Sequence, residues 1–266
     1  TPPPPFAVGA AAGIPSIALG NFPWDWICAD YPRVRLAPSL LPTIRGAYAK
    51  ASMALRLPMS GGFDSFANVR DIPFIARHAT RSREEVTKLL KLPSDKPLVL
   101  TSFGTYGVPG LDTDALAKLK RYVAITVESQ PVGPTKKETP PSERRGSLVS
   151  VNEEAMYDAG VRYEDLVGAA TAVVTKAGYG IISESIANDT AVLYTSRGHF
   201  PEYEVLVEEM PKYVRSAFIS QEDLFAGKWD SHLDKLLAQP KPKKKADTSG
   251  GDVAADMLLP ALDKPP

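Results

Sequence analysis

Short apolar runs alternate with stretches of helical spacing along most of the chain, and this alternation predicts the secondary structure. Apolar runs at 14–19, 98–102 and 172–175 predict buried strands, because each is short and bounded by turn residues. Apolar residues at helical spacing in 163–170 and 180–188 predict helices. Strands that alternate with helices favour an α/β fold in which helices cover a parallel sheet.

Local signals indicate where further elements begin and end. Ser82 followed by Glu85 is typical of a capping box, so a helix is expected to begin there. Ser220 is expected to cap one last helix before the tail of the chain. Residues 69–76 are expected to form an extended connector outside the sheet, because Pro73 has no N–H group to donate.

Composition and element signals divide the chain into three parts. Residues 78–238 carry a full series of strand and helix signals and are expected to form the C-terminal domain. Residues 1–77 are expected to form a smaller N-terminal domain. Within the second part, residues 130–146 are rich in proline and charge and predict a mobile loop. Residues 239–266 begin with lysines and prolines and continue with a Ser-Gly-Gly tract, which predicts a flexible linker or tail.

Charge and hydropathy exclude several partners. The chain has 31 Lys and Arg residues and 31 Asp and Glu residues, so its formal net charge is zero. This balance argues against a nucleic-acid partner and a polybasic membrane anchor. Residues 1–24 carry no charge, but Gly13, Pro15 and Gly20 interrupt them well short of the ~20 apolar residues that span a bilayer, so no membrane span is expected. Cys28 is the single cysteine, which favours a reducing, cytoplasmic location.

A glycine-bearing turn between a strand and a helix carries the first candidate chemistry. The predicted strand at 172–175 is followed by Gly178, Tyr179, Gly180 and Ile181 and then by a helix. Unpaired backbone N–H groups and the helix dipole at such a turn favour a phosphate or diphosphate. The other interpretation is a turn needed only for tight strand–helix packing.

Glu184 lies about one turn into the same helix, given ~3.6 residues per turn. A carboxylate at this position is suited to accept hydrogen bonds from the vicinal hydroxyl groups of a ribose. Glu184 is therefore a candidate ligand of a nucleotide whose phosphates lie at the start of the helix.

Two further turns follow predicted strands and are expected at the same sheet edge. Gly104 and Thr105 follow the strand at 98–102 and add backbone donors for a diphosphate. Arg197 and Glu202 follow the next strand, where Arg197 is suited to phosphate and Glu202 to sugar hydroxyls. The alternatives are a surface ion pair for Arg197 and a helix-dipole contact for Glu202.

Several phrases of the sequence together resemble one family, the GT-B glycosyltransferases. The resemblance is to the group related to the bacterial peptidoglycan N-acetylglucosaminyltransferase, and more closely to the glycosyltransferase-like region at the N-terminus of arabinokinase-type proteins. The phrases that carry it span most of residues 6–237 and are GIPSIALGNFPWDWI (13–27), RLPM (56–59), DIPFIAR (71–77), SFGTYGV (102–108), TKAGYGIISESIAN (175–188) and LYTSRGHFPEYEVL (193–206). The set is specific to the family, whereas any single phrase is not.

The resemblance implies a GT-B fold with Rossmann-like parallel sheets, whose C-terminal lobe binds a nucleotide-sugar donor, in particular a UDP-sugar. Glu184 matches the family's ribose-binding glutamate, and residues 178–181 match the loop and helix start under the diphosphate. Gly104 and Thr105 match the glycine-rich turn of the lobe's first strand, and Glu202 falls where the family contacts the donor sugar. Such enzymes use backbone donors and a helix dipole against the diphosphate, so no metal and no other cofactor is expected.

The chain departs from the family pattern at its beginning. Residues 1–77 match only the last elements of an N-terminal lobe, beside a complete C-terminal lobe at 78–238. The family's acceptor loop and catalytic base usually lie in the preceding part, and no histidine of this chain matches that base. Asp25, which lies between Trp24 and Trp26, is the candidate for a substitute acid or base, although burial explains the tryptophans first.

Three functions therefore compete. The first is a glycosyltransferase that uses a UDP-sugar and an acceptor still unknown. The second is a nucleotide-sugar epimerase of the same fold, and the third is a non-catalytic sugar-nucleotide-binding or regulatory module associated with a sugar kinase. A partial first lobe would expose a sheet edge, so a homodimer or a covering partner is also expected.

Overall fold

The computed structural model describes residues 1–104, 110–128 and 141–262 of the chain. The α-helices are α1 (Pro4–Ala11), α2 (Trp24–Ala29), α3 (Leu40–Tyr48), α4 (Arg83–Leu89), α5 (Thr113–Leu116), α6 (Glu153–Asp158), α7 (Tyr163–Ala169), α8 (Tyr179–Ala187), α9 (Pro201–Glu209), α10 (Gln221–Phe225), α11 (Asp230–Leu237) and α12 (Gly250–Leu262). The strands are β1 (Ile17–Gly20), β2 (Met53–Arg56), β3 (Val69–Asp71), β4 (Leu98–Ser102), β5 (Val123–Glu128), β6 (Ser142–Arg145), β7 (Leu148–Asn152), β8 (Ala172–Lys176), β9 (Ala191–Thr195) and β10 (Ser216–Phe218). None of the helices in these described ranges is long and apolar enough to cross a bilayer.

The chain folds into two compact units that are not contiguous in sequence. The first unit contains Thr1–Ala76, Gly198–Glu209 and the described residues from Ala246 onward, and the second contains Arg77–Arg197 and Met210–Lys245. Helix α9 therefore groups with the first unit, whereas the sequence signals predict a single contiguous domain from 78 to 238.

The first unit is built on a parallel sheet of strand order β1-β2-β3. Strand β2 lies in the middle, with Ala54 in register with both Ala18 and Val69. Apolar side chains beneath this sheet form its core, and they include Phe6, Ala18, Ile44, Tyr48, Ala54, Phe63 and Phe66. A connector outside the sheet was expected at 69–76, but residues 69–71 form strand β3. This strand ends before Pro73, so no residue that pairs with β2 lacks an N–H group.

The end of the described chain is part of the first unit and is helical. The N–H group of Phe74 donates to the carbonyl oxygen of Asp247 at 3.1 Å, and the N–H group of Gly250 donates to the carbonyl oxygen of Phe74 at 3.0 Å. A Cβ at Gly250 would lie 2.2 Å from the carbonyl oxygen of Pro73, so this close approach requires glycine. Helix α12 thus differs from the flexible tail expected at 239–266, because backbone hydrogen bonds order a segment whose composition alone predicts disorder.

The second unit contains a sheet of strand order β10-β9-β8-β4-β5-β7-β6 among the described residues. Its neighbouring strands are parallel except for β6, which is antiparallel to β7. Residues of β4 and β8 pack alternately into apolar clusters on the two faces of the sheet, so Leu98 and Leu100 belong to one cluster and Val99 to the other. The α/β architecture predicted from the alternation of strands and helices is confirmed.

Element boundaries in the second unit confirm some sequence signals and correct others. Ser82 Oγ accepts from the N–H group of Glu85 at 3.2 Å, and the Glu85 carboxylate accepts from the N–H group of Ser82 at 2.8 Å, which confirms the capping box. The single helix expected after Ser220 is two helices, because Gly227 between α10 and α11 has a φ of +65°. Part of the loop expected at 130–146 is strand β6, and residues 129–140 lie outside the described residues.

Candidate functional site

The turn that opens α8 lies at the carboxyl end of the buried strand β8. Gly178 is the N-terminal cap of α8, and four of the five residues of β8 before it are buried. A Cβ at Gly178 would meet only one carbonyl oxygen at 3.9 Å, and a Cβ at Gly180 would meet nothing within 4 Å. Open space therefore lies beside the first turn of α8, where backbone N–H groups and the helix dipole favour an anion.

Ile181 and Tyr179, the two other predicted residues of this turn, differ in the surroundings of their side chains. The side chain of Ile181 packs against the apolar cluster under the sheet. Its contribution to a ligand would therefore come from its backbone N–H group. Tyr179 is half-buried at the first position of the helix.

Strand β4 lies beside β8 and brings a second glycine turn to the same edge of the sheet. Ser102 is in register with Thr175, whose Oγ1 donates to the carbonyl oxygen of Ser102 and, at 2.9 Å, to that of Lys176. Gly104 follows with a φ of +73°, a left-handed conformation that favours glycine, and a Cβ there would meet nothing within 4 Å. Thr105, the other residue predicted for this turn, lies outside the described residues.

Glu184 is the sixth residue of α8 and is only 8% exposed. Burial raises the pKa of its carboxyl group above the ordinary value, and the hydrogen bond and charge of Arg77 oppose that rise. Burial also raises the pKa of Tyr163, and the charge of Glu184 adds to the effect. The Tyr163 hydroxyl donates to Ser102 Oγ at 2.7 Å, so it links the surroundings of Glu184 to the end of β4.

Arg77 contacts Glu184, although no sequence pattern marks it as a site residue. Its Nε lies 2.6 Å and its Nη2 2.5 Å from Oε1 of Glu184. The only sequence signal for Arg77 is its place at the end of the phrase DIPFIAR, because its partner is 107 residues away. A local pattern cannot reveal such a pair.

Arg197 follows the third strand that ends at this edge. Thr195, the last residue of β9, is in register with Lys176 of β8, so the two strands end level. Arg197 lies two residues further along and is exposed. The second unit therefore brings the predicted Gly104, Gly178 and Arg197 to the ends of three neighbouring strands.

Glu202 is buried in the first unit. It is the second residue of α9 and belongs to the first unit, where it is 4% exposed. Its Oε1 accepts a hydrogen bond from Nδ2 of Asn21 at 2.8 Å, which satisfies part of a buried carboxylate. Phe200 packs edge to face against Phe22 beside this pair, with ring centroids 5.8 Å apart.

Asp25 lies in the first turn of α2 in the first unit and is 6% exposed. Its Oδ2 accepts from Ser65 Oγ at 2.6 Å and lies 3.5 Å from Nε of Arg45. Its Oδ1 is buried and accepts no hydrogen bond from any residue that the structure describes. Asp25, Arg45 and Ser65 line a cavity of about 420 Å³, together with Trp26, Ala29, Gly62 and Asp64.

Trp26 forms a fixed wall of that cavity. A Cβ at Gly61 would lie 2.3 Å from its ring, and a Cβ at Gly62 would lie 2.6 Å from its Cβ. Trp26 is thus held by tight backbone packing and is half-buried, whereas Trp24 is exposed, so burial does not explain both tryptophans. In the described ranges, no group of three or more His, Cys, Asp and Glu side chains is arranged to hold a metal ion.

The architecture of the chain is that of the GT-B glycosyltransferases. Residues covering 97% of this chain superpose on 70% of the calicheamicin glycosyltransferase CalG4, with a TM-score of 0.58 and 14% identity. Residues covering 88% of this chain superpose on 61% of UGT89C1 of Arabidopsis thaliana complexed with UDP, with a TM-score of 0.54 and 14% identity. At these identities the likeness is one of fold.

A sequence relative gives a second, more particular similarity. The L-arabinokinase of Arabidopsis thaliana is 26% identical to this chain over 254 residues, which is 94% of the chain. The chain spans only 22% of the length of that relative. No model of a known family matches the sequence.

Proposed function

We propose that the second unit binds a nucleotide sugar that carries uridine diphosphate, and that the chain is the donor-binding part of a glycosyltransferase. The observation that carries the proposal is the buried Glu184, placed one turn beyond the open glycine turn of Gly178 and Gly180. A diphosphate at the start of α8 would leave the attached ribose within one turn of that carboxylate. A GT-B relative solved with UDP supports uridine as the base.

The remaining predicted contacts belong to the same proposal. Gly104, Thr105 and Arg197 would approach the diphosphate, and Glu202 would contact the sugar. Asp25 stays the candidate acid or base, because it is a buried carboxylate with one unsatisfied oxygen and it lines a cavity. The relationship to the peptidoglycan N-acetylglucosaminyltransferase group is likewise proposed from the sequence phrases alone.

Thermal unfolding with a panel of UDP, GDP, ADP and UDP-sugars tests the proposal. A ligand at ~100 times its Kd should add roughly 2.7 kcal/mol to the free energy of unfolding if it binds only the folded state. We expect a shift specific for uridine nucleotides that is lost in Glu184→Ala. Glu154→Ala removes an exposed glutamate of the same unit and should keep the shift. Equal shifts in wild type and Glu184→Ala would contradict the assignment of Glu184.

A second candidate function is a non-catalytic sugar-nucleotide-binding module associated with a sugar kinase. The similarity to L-arabinokinase, of which this chain matches about a fifth, favours it. Release of free sugar from a UDP-sugar by the purified chain separates the two candidates. Hydrolysis that Asp25→Asn abolishes supports the enzyme, whereas tight binding without any hydrolysis supports the module.

We also propose a cytoplasmic location, because Cys28 is the single cysteine of the chain.

We further propose that the chain associates through the sheet of the first unit. Strand β1 pairs only with β2 among the described strands, and its Leu19 is exposed. An edge of this kind invites pairing with another chain. Light scattering should therefore show a dimer, and a monodisperse monomer at the highest concentration measured would contradict self-association.

A further inference from the structure

Arg77 makes its closest contacts, one hydrogen bond from Nε and one ionic contact from Nη2, with a single oxygen of Glu184. Both Nε and Nη2 reach Oε1, at 2.6 and 2.5 Å. Nη1 lies 3.2 Å from Oε2 of Glu164 on α7, but this contact lacks hydrogen-bond geometry. Glu184 is therefore the principal partner of Arg77, and Glu164 contributes a second negative charge.

The backbones of Arg77 and Glu184 are fixed by a single side chain. Nδ2 of Asn188, the C-terminal cap of α8, donates to the carbonyl oxygen of Arg77 at 3.1 Å and to that of Glu184 at 2.8 Å. Oδ1 of Asn188 accepts from the N–H group of Ala79 at 2.8 Å. This amide joins the segment that begins at Arg77 to the last turn of α8. The backbone of each residue in the ion pair is therefore fixed by the same side chain.

The pair leaves the second oxygen of Glu184 available. Oε2 accepts no hydrogen bond from the residues that the structure describes, yet it is not among their buried, unsatisfied atoms. It therefore keeps access to solvent although the side chain as a whole is buried. A guanidinium that contacts one carboxylate oxygen through two nitrogens favours the ionised form and leaves the other oxygen for a ligand.

We propose that Arg77 is a specificity-determining positioning residue, which turns Oε2 of Glu184 toward a ribose and so distinguishes ribonucleotides from 2′-deoxyribonucleotides. The inference rests on the proposed nucleotide-sugar site. An ionised carboxylate oxygen accepts strongly from the ribose 2′-hydroxyl, and a deoxyribose leaves that oxygen without its donor. Without Arg77, the buried carboxyl group is neither oriented nor kept ionised, and the discrimination is lost.

A purely structural role for Arg77 predicts a different result. An ion pair that only joins α7 to α8 would, when removed, weaken the folded unit and lower the affinity of every nucleotide alike. The ratio of two affinities separates these roles, because a general loss cancels in the ratio.

The experiment measures the Kd of UDP and of 2′-deoxy-UDP by calorimetry for wild type, Arg77→Ala, Arg77→Lys and Glu184→Gln. We expect wild type to prefer UDP by about tenfold, a difference of roughly 1.4 kcal/mol. Arg77→Ala and Glu184→Gln should bring the ratio to within about twofold of one, mainly by weakening UDP. Arg77→Lys keeps the positive charge but has one nitrogen instead of two to contact Glu184, so it should give an intermediate ratio of the two affinities.

Arg81→Ala is the matched control, because Arg81 lies in the same segment but donates to the carbonyl oxygen of Gly160 instead. It should keep the wild-type ratio. Equal losses for UDP and 2′-deoxy-UDP in Arg77→Ala would overturn the inference and leave the nucleotide site standing. If Arg77→Ala does not fold, an unchanged ratio in Glu184→Gln overturns it. Absence of binding of either nucleotide to wild type would overturn the proposed function, and the inference with it.

Discussion

Replacing Asp165 by alanine should lower the free energy of unfolding by about 3–5 kcal/mol. Asp165 is fully buried at the start of α7. Its Oδ1 accepts from the N–H groups of Thr80 and Arg81 at 2.7 and 3.1 Å, and its Oδ2 accepts from the N–H group of Arg162 at 2.8 Å. Alanine would leave three backbone donors without an acceptor, at roughly 1–3 kcal/mol each before water reaches some of them.

Urea denaturation at pH 7 measures this loss, with an unchanged m-value as the sign that the folded state is intact. Asp165→Asn keeps one acceptor oxygen and should lose about half as much. Asp158→Ala removes an exposed aspartate nearby and should stay within about 0.5 kcal/mol of wild type. A loss below about 1 kcal/mol in Asp165→Ala would show that the network is not needed to hold the segment.

The same residue gives the stability a defined pH dependence. Burial alone would raise the pKa of Asp165, but the hydrogen bonds donated by Arg162, Thr80 and Arg81 outweigh it and hold the pKa below its usual range. The folded state then binds its proton less tightly than the unfolded state, where the pKa is about 3.9. The stabilisation is fully present above that value and is lost as pH falls through the folded pKa. The difference in stability between wild type and Asp165→Asn should therefore shrink below about pH 4.

Local patterns in the sequence predicted the elements whose causes are local. The capping box at Ser82 and Glu85 needs only two side chains three residues apart, and both of its hydrogen bonds are present. The strand β8 and the glycine turn before α8 follow from a short apolar run that ends at Gly178. Such features are decided within one or two turns of chain, so spacing alone reveals them.

Features that depend on distant contacts were missed. Strand β3 is three residues long and is recognisable only through its pairing with β2. Helix α12 is held by hydrogen bonds to Phe74, more than 170 residues earlier, while the lysines before it and the two glycines at its start indicate a tail. In each case tertiary contacts outweigh local composition.

The candidate site likewise contains features with local causes and features that depend on distant contacts. The place of Glu184 on its helix follows from its distance to Gly178, whereas its burial is visible only in the structure. Its partner Arg77 and the partner of Glu202, Asn21, lie 107 and 181 residues away in sequence. The charge state and orientation of a carboxylate depend on such partners. The sequence therefore predicts which residue binds a ligand but does not predict the pKa or the orientation of its side chain.

Gly180→Asp should fold as well as wild type and yet lower the affinity for UDP by about 100-fold, or roughly 2.8 kcal/mol. A side chain at Gly180 points into open space, and a carboxylate in the first turn of a helix interacts favourably with its dipole. The stability of Gly180→Asp should therefore be unchanged or higher by up to about 1 kcal/mol. The same carboxylate would repel a diphosphate at the start of α8, and unit charges about 4 Å apart near a protein surface interact by about 4 kcal/mol.

Gly180→Asn is the matched control, because it has nearly the same shape and no charge. It should bind UDP within about fivefold of wild type, and uridine, which has no phosphate, should bind all three proteins within about threefold. Diphosphate affinity then falls in a variant whose stability does not fall, which damage to the fold cannot produce. If Gly180→Asp and Gly180→Asn bind UDP equally, the diphosphate does not lie at the start of α8, and any nucleotide bound by the second unit must use a different edge of its sheet.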